Sequence, residues 1–201
     1  MRSAWLAVLL GAVLQGAPAE VLVGDVVPWQ DLFQRVAGPR WVDRAAQVQA
    51  ESRFDPLAVS PVGAIGCAQW MSSSWKDAIR RGWAPSGSDP RDPYVAIPAQ
   101  HQYMLWNEAF LGGFEAGLGG YNAGAGNIRK AQRLAVSLGI PGERAWLVAL
   151  PKVTGTAHAK ETRGYILNNE RNRNRIWFLY TRMEGVVNAQ PKPGTANAEV
   201  R

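Results

Sequence analysis

One cysteine, two histidines and no apolar run long enough to cross a bilayer comfortably: these scarcities narrow the reading first. Cys67 has no partner for an internal disulfide. It lies in an apolar stretch and reads as a small core residue, not a nucleophile. His101 and His158 are far apart in the chain, and both read as structural or solvated. No His/Cys cluster has metal-ligand spacing, so neither a metal nor a cofactor is expected. No internal repeat is visible, and no segment sustains the alternation of a half-buried strand.

What is present is a chain of 201 residues, 47% hydrophobic, with nine tryptophans. That is enough for one domain with a real core, and the indoles suit either that core or a groove for sugars or bases. Residues 1–19 read as an export leader: Arg2 is their only charge, AWLAVLLGAVL is apolar, and Ala17 and Ala19 bracket Pro18 in an A-x-A cleavage pattern. An uncleaved anchor is the alternative. Exported, periplasmic placement follows from this reading. Residues 20–28 look extended. The tail over residues 187–201 is rich in Pro, Gly, Ala and Asn and reads as disordered. One domain over residues 28–186 remains.

Most of that domain reads as helix. Trp41, Ala45 and Val48 recur at helical spacing, with Arg44 and Gln47 between them. Pro39 can open this helix, and Pro56 is expected to stop it by forcing Asp55 out of the helical region. Residues 57–71, with Pro61, Gly63 and Gly66, read as loop or short strand. SSSWKDAIRRG predicts a short helix with a serine N-cap and a glycine stop. Residues 94–111 predict another, with Pro98 near its start or kinking it and Gly112 and Gly113 ending it. Further on come a helix, a glycine turn and a second helix through GFEAGLGGYNAGAGNIRKAQRLAVSLG, then a short apolar helix closed by Pro151. The longest helix runs through HAKETRGYILNNERNRNRIWFLYTRMEG. The sum is a mostly α domain with a small irregular or β insert.

Glu51 stands out within AESRFDPLAVSPVGAIGCAQWM. It follows Val48 by three and Gln47 by four, so it continues the buried stripe of its helix. It also sits in the last turn, where the helix dipole is negative. Both effects favour the protonated acid and raise its pKa. An acid poised near neutrality can donate a proton in a reaction. After Asp55 the stretch carries no charge. Small residues with Gly63 and Gly66 allow close backbone approach, Ser60 and Gln69 supply neutral hydrogen-bonding groups, and Trp70 and Met71 supply apolar surface. That lining suits an uncharged polyhydroxyl ligand with amide groups and is poor for phosphate, which wants Lys or Arg.

ESRFDPLAVSPVGAIGCAQWMSSSW resembles the signature of the soluble lytic transglycosylase family, GLGGYNAGAGNI its Tyr-Asn-Ala-Gly block, and ETRGYI its Glu-Thr-x-x-Tyr block. The three occur in the family's order and span about residues 41–170. The resemblance implies a lysozyme-like fold, with peptidoglycan glycan strands as partner. It implies cleavage of the MurNAc–GlcNAc β-1,4 bond with formation of a 1,6-anhydro ring on MurNAc. It makes Glu51 the catalytic acid/base. It assigns substrate binding to Ser60, Gly63, Gly66, Gln69 and Met71, to Tyr121 and Asn122 beside the acid, and to Glu161 and Tyr165 on one helix face. Cys67 and Trp70 replace aliphatic residues of the pattern, Ser72 replaces Pro, and Gly119 and Gly120 replace small helix formers. The glycines are expected to loosen the helix before Tyr121 by about 1 kcal/mol each relative to Ala.

Glycoside cleavage normally uses two carboxylates. Here Asp55 is the obvious second acid, but its place before Pro56 suits a turn. With one carboxylate, the substrate supplies its own nucleophile. A muramidase hydrolysing the same bond and a catalytically silent wall-binding module are the alternatives. The net charge of +6 and the RNRNR run invite an anionic partner. Interspersed with Asn on a long helix, however, that run reads as a solvated face, and no nucleic acid is expected. A secretion, conjugation or phage assembly is a candidate partner.

Overall fold

Pro39, Pro56 and the glycine pairs divide the chain into helices, and the computed structural model, which describes residues 27–189, follows those divisions closely. The expected leader, nearly all of the expected extended start and most of the expected tail lie outside the described residues. Among the described residues there are nine α-helices: α1 (Gln30–Ala37), α2 (Trp41–Ser52), α3 (Ser72–Arg80), α4 (Pro93–Leu111), α5 (Phe114–Ala123), α6 (Ala125–Ser137), α7 (Ala145–Ala149), α8 (Pro151–Thr154) and α9 (Thr156–Ala189). The mostly α expectation holds. Between α2 and α3 lies the small β insert, where Ile65 bridges antiparallel to both Val59 and Trp70.

Several boundaries differ from the sequence reading. Helix α1 was not anticipated. Pro39 lies in a short 3-10 turn that leads into α2. Helix α2 ends at Ser52, before Pro56 can act, because Arg53 and Phe54 take left-handed conformations (φ 59° and 66°). Asp55 forms the expected turn, its Oδ1 accepting from the Leu57 amide at 2.8 Å. No serine side chain caps α3; Met71 is its N-cap, and Ser74 donates back to the Met71 carbonyl. Asp92 caps α4, accepting from the Tyr94 amide at 2.9 Å, Pro98 lies in the second turn, and Gly112 (φ 83°) closes it.

Helix α2 is enclosed, packing on α1, α4 and α9. Arg44 and Gln47, between the stripe positions, are both fully buried. One apolar cluster joins α1, α2, the insert, α3 and the start of α4; a second joins the end of α4 with α5, α6, α7 and α9. Charges tie α2 to α4. Glu108 accepts from Arg40 (2.5 Å) and Arg44 (2.7 Å), and Arg44 Nε donates to His101 Nδ1 at 3.2 Å. Burial would raise the Glu108 pKa, but the hydrogen bonds from Arg40 and Arg44 outweigh it and hold the carboxyl below its usual range. Burial, then the charges of Arg44 and Arg40, lower the His101 pKa, so its ring stays neutral and can accept. The phenyl ring of Phe114 lies beneath both guanidiniums.

Candidate active site

Glu51 reaches the site from the penultimate position of α2. It is half-buried, and its Oε1 accepts from the Tyr165 hydroxyl of α9 at 2.5 Å. Burial raises the carboxyl pKa to about 7, and the Tyr165 bond pulls in the opposite direction without cancelling it. No cation among the described residues pairs with it. This is the environment the helix phase implied: an acid that keeps its proton close to neutrality.

Two phenols flank the acid. Burial, followed by the Glu51 charge, pushes both Tyr121 and Tyr165 well above the usual tyrosine pKa, so both remain donors. The Tyr121 hydroxyl does not bond Glu51; it donates to the Ala68 carbonyl of the insert at 2.7 Å and so fixes the insert against α5. Asn122 accepts from Thr162 of α9 at 2.8 Å. Its Nδ2 makes no hydrogen bond among the described residues. The end of α2 is tied to the insert as well, Ser52 Oγ donating to the Cys67 carbonyl at 2.8 Å.

The insert residues chiefly hold its shape. Ser60 Oγ accepts from the Ala64 amide, and Gly63 turns at φ 86°. Gly66 (φ 77°) is required twice over: a Cβ there would come within 2.2 Å of the Pro90 carbonyl oxygen. Gln69, itself left-handed at φ 50°, donates through Nε2 to the Gly66 and Ala58 carbonyls. Met71 is exposed. Trp70 is not ligand-facing as its composition suggested: it is 1% exposed, packed among Trp75, Tyr103 and Tyr121, and so belongs to the core. Burial pushes Cys67 up to about 12, consistent with an inert core thiol.

The structure therefore brings Glu51, Tyr165 and Tyr121 together, with Asn122 adjoining through Thr162. Glu161, one turn before Tyr165, is exposed and makes no hydrogen bond or ion pair among the described residues. Sequence reasoning did not identify Thr162 or Gln47 as partners. Gln47, one turn before Glu51, donates to the Tyr165 hydroxyl at 3.2 Å. Its helical register with Glu51 was the available signal.

Residues 45–140 match the family described as Transglycosylase SLT domain. The crystal structure of the 70 kDa soluble lytic transglycosylase from Escherichia coli superposes with a TM-score of 0.59 and 27% identity, covering 72% of this chain and 23% of that one. The complex of the 70 kDa soluble lytic transglycosylase with bulgecin A gives 0.62 and 25%, covering 76% and 24%. The chain thus spans about a quarter of the length of the enzymes it matches. No curated protein matches it. The mostly helical architecture is lysozyme-like. The matched segment encloses Glu51, Tyr121 and the insert between them, so the part of the chain that carries the site is similar to the Transglycosylase SLT domain.

Proposed function

We propose that the protein is a peptidoglycan lytic transglycosylase that cleaves the MurNAc–GlcNAc β-1,4 bond with Glu51 as its single acid and base. The carrying observation is a half-buried carboxyl with a pKa of about 7, held by one phenol and free of any ion pair among the described residues. Asp55, the nearest acid in sequence, is exposed and engaged in its own turn.

The chemistry follows from that solitude. Glu51 gives its proton to the glycosidic oxygen, and the GlcNAc side leaves with a free 4-hydroxyl. The 2-acetamido oxygen of MurNAc supports the positive charge developing at C1. The C6 hydroxyl then attacks C1, and Glu51, now a carboxylate, takes the hydroxyl proton. No water is consumed, and intramolecular attack avoids the entropy cost of recruiting one. Both phenols stay neutral beside the acid, Tyr165 donating to it and Tyr121 to the Ala68 carbonyl, so neither brings a competing charge. Cleavage therefore declines above about pH 7, as Glu51 loses the proton it must donate.

Glu51→Gln is expected to keep the fold and glycan binding and to lose about a thousandfold or more of turnover on purified sacculi. Near wild-type turnover would remove Glu51 from the mechanism. A 70 kDa soluble lytic transglycosylase similar to this chain is described in complex with bulgecin A, and we expect the same compound to bind the present cleft. Reading residues 1–19 as an export leader, we place the enzyme in the periplasm, where its substrate lies. A secretion, conjugation or phage machine that must open the wall is the kind of assembly that would use such a domain.

A further inference from the structure

The Tyr165 hydroxyl has one proton and two lone pairs. Its proton goes to Glu51 Oε1, so in the contact with Gln47 Nε2 the amide must be the donor. Gln47 lies one turn before Glu51 on α2, on the same face. It is fully buried, and its Oε1 has no partner among the described residues. A buried, half-satisfied amide is costly, and an apolar side chain of similar volume would fill the site without that cost. Packing alone does not call for glutamine there.

We infer that Gln47 is a positioning residue that keeps the Tyr165 hydroxyl donating to Glu51 Oε1 and thereby leaves the catalytic proton on Oε2, the oxygen that makes no hydrogen bond among the described residues. Gln47 occupies one of the phenol's two acceptor positions and so disfavours the opposite arrangement. Without Gln47, the hydroxyl can turn and accept from a protonated Oε1. The proton would then sit between the two side chains, away from the glycosidic oxygen. The inference rests on the reading of Glu51 as the acid.

Among the described residues, four titratable groups lie about this relay: Tyr165 from α9, Tyr121 from α5, Tyr103 from α4 and Cys67 from the insert. Burial raises all four, so they remain protonated through neutrality and a shift in the pH profile reports on Glu51. The amide bond from Gln47 makes the phenol a better donor, which favours the carboxylate form of Glu51. Removing it raises the Glu51 pKa and moves the alkaline limb of activity upward while lowering the rate.

The test is a cycle of Gln47→Met, Tyr165→Phe and the double variant, assayed on soluble glycan fragments across pH. The expected result for Gln47→Met is a kcat about tenfold lower with KM within about twofold, the size of one neutral hydrogen bond in the transition state. The alkaline limb should rise by about half a pH unit. In the Tyr165→Phe background, Gln47→Met should change neither quantity further. Equal effects in both backgrounds, or an unmoved limb, would overturn the inference. So would failure of both Gln47→Met and Gln47→Leu to fold, since that marks a packing role. Glu51→Gln separates the two levels: its inactivity with an unmoved Gln47→Met profile overturns the relay alone, while its activity overturns the reading beneath.

Discussion

Burial at the negative end of α2 and the phenol of Tyr165 act on Glu51 in opposite directions, and burial wins. A carboxyl raised from 4.5 to about 7 binds its proton more tightly in the folded than in the unfolded chain. The stability this confers is complete below pH 4.5 and is lost as pH rises through 7. Glu51→Gln removes the dependence. We expect the variant to exceed the wild type by about 2–3 kcal/mol at pH 8 and to match it near pH 4, as read by urea denaturation at each pH. A constant difference across that range would contradict the assigned environment. The raised pKa of the acid was legible from its helix phase together with its place in the last turn. Its partners were not: Tyr165 is 114 residues away, and no local spacing encodes that contact. Nor does composition show that the Trp70 indole turns into the core instead of toward a ligand.

Helix α5 shows the same division between local pattern and packing. Propensity reads Gly119 and Gly120 as weak points of the helix. In the fold they are contact surfaces: a Cβ on Gly119 would lie 2.7 Å from the Trp146 ring, and one on Gly120 would lie 2.6 Å from both Asn107 and Leu111. Gly117 is similarly closed by Glu108. The lost propensity lets α5 press against α4 and α7, which sets the height at which Tyr121 meets the insert. Gly120→Ala should therefore destabilise by about 1–3 kcal/mol, where propensity alone predicts a gain of about 1. Thermal unfolding decides the sign, and a higher melting temperature would show that α4 yields easily. Helix α1 was missed because the sequence reading began the domain's first helix at Pro39. The end of α2 was misplaced because Arg53 and Phe54 adopt left-handed backbones that neither residue type advertises.

Across the whole molecule, the order of helices, the insert and the long terminal helix were legible because prolines and glycines mark their boundaries. The cluster of Arg40, Glu108, His101 and the fully buried Arg44 that joins α2 to α4 was not, since Arg44 occupies what reads as a polar position. Glu108→Gln should cost about 3–5 kcal/mol, because it leaves the fully buried Arg44 guanidinium without its carboxylate. In the wild type, this stabilisation is present above the unfolded carboxylate pKa and is lost on acidification through the lowered folded value. Denaturant midpoints of the two proteins at neutral pH check it, and equal midpoints would mean that the cluster is decorative. The cluster holds α2, and α2 carries the one acid on which the functional account depends. Mass spectrometry of the fragments released from purified peptidoglycan tests that account most directly. Non-hydrolytic cleavage by Glu51 predicts MurNAc ends in the 1,6-anhydro form, lighter by one water than reducing ends. Reducing MurNAc ends would contradict it and establish hydrolysis in its place.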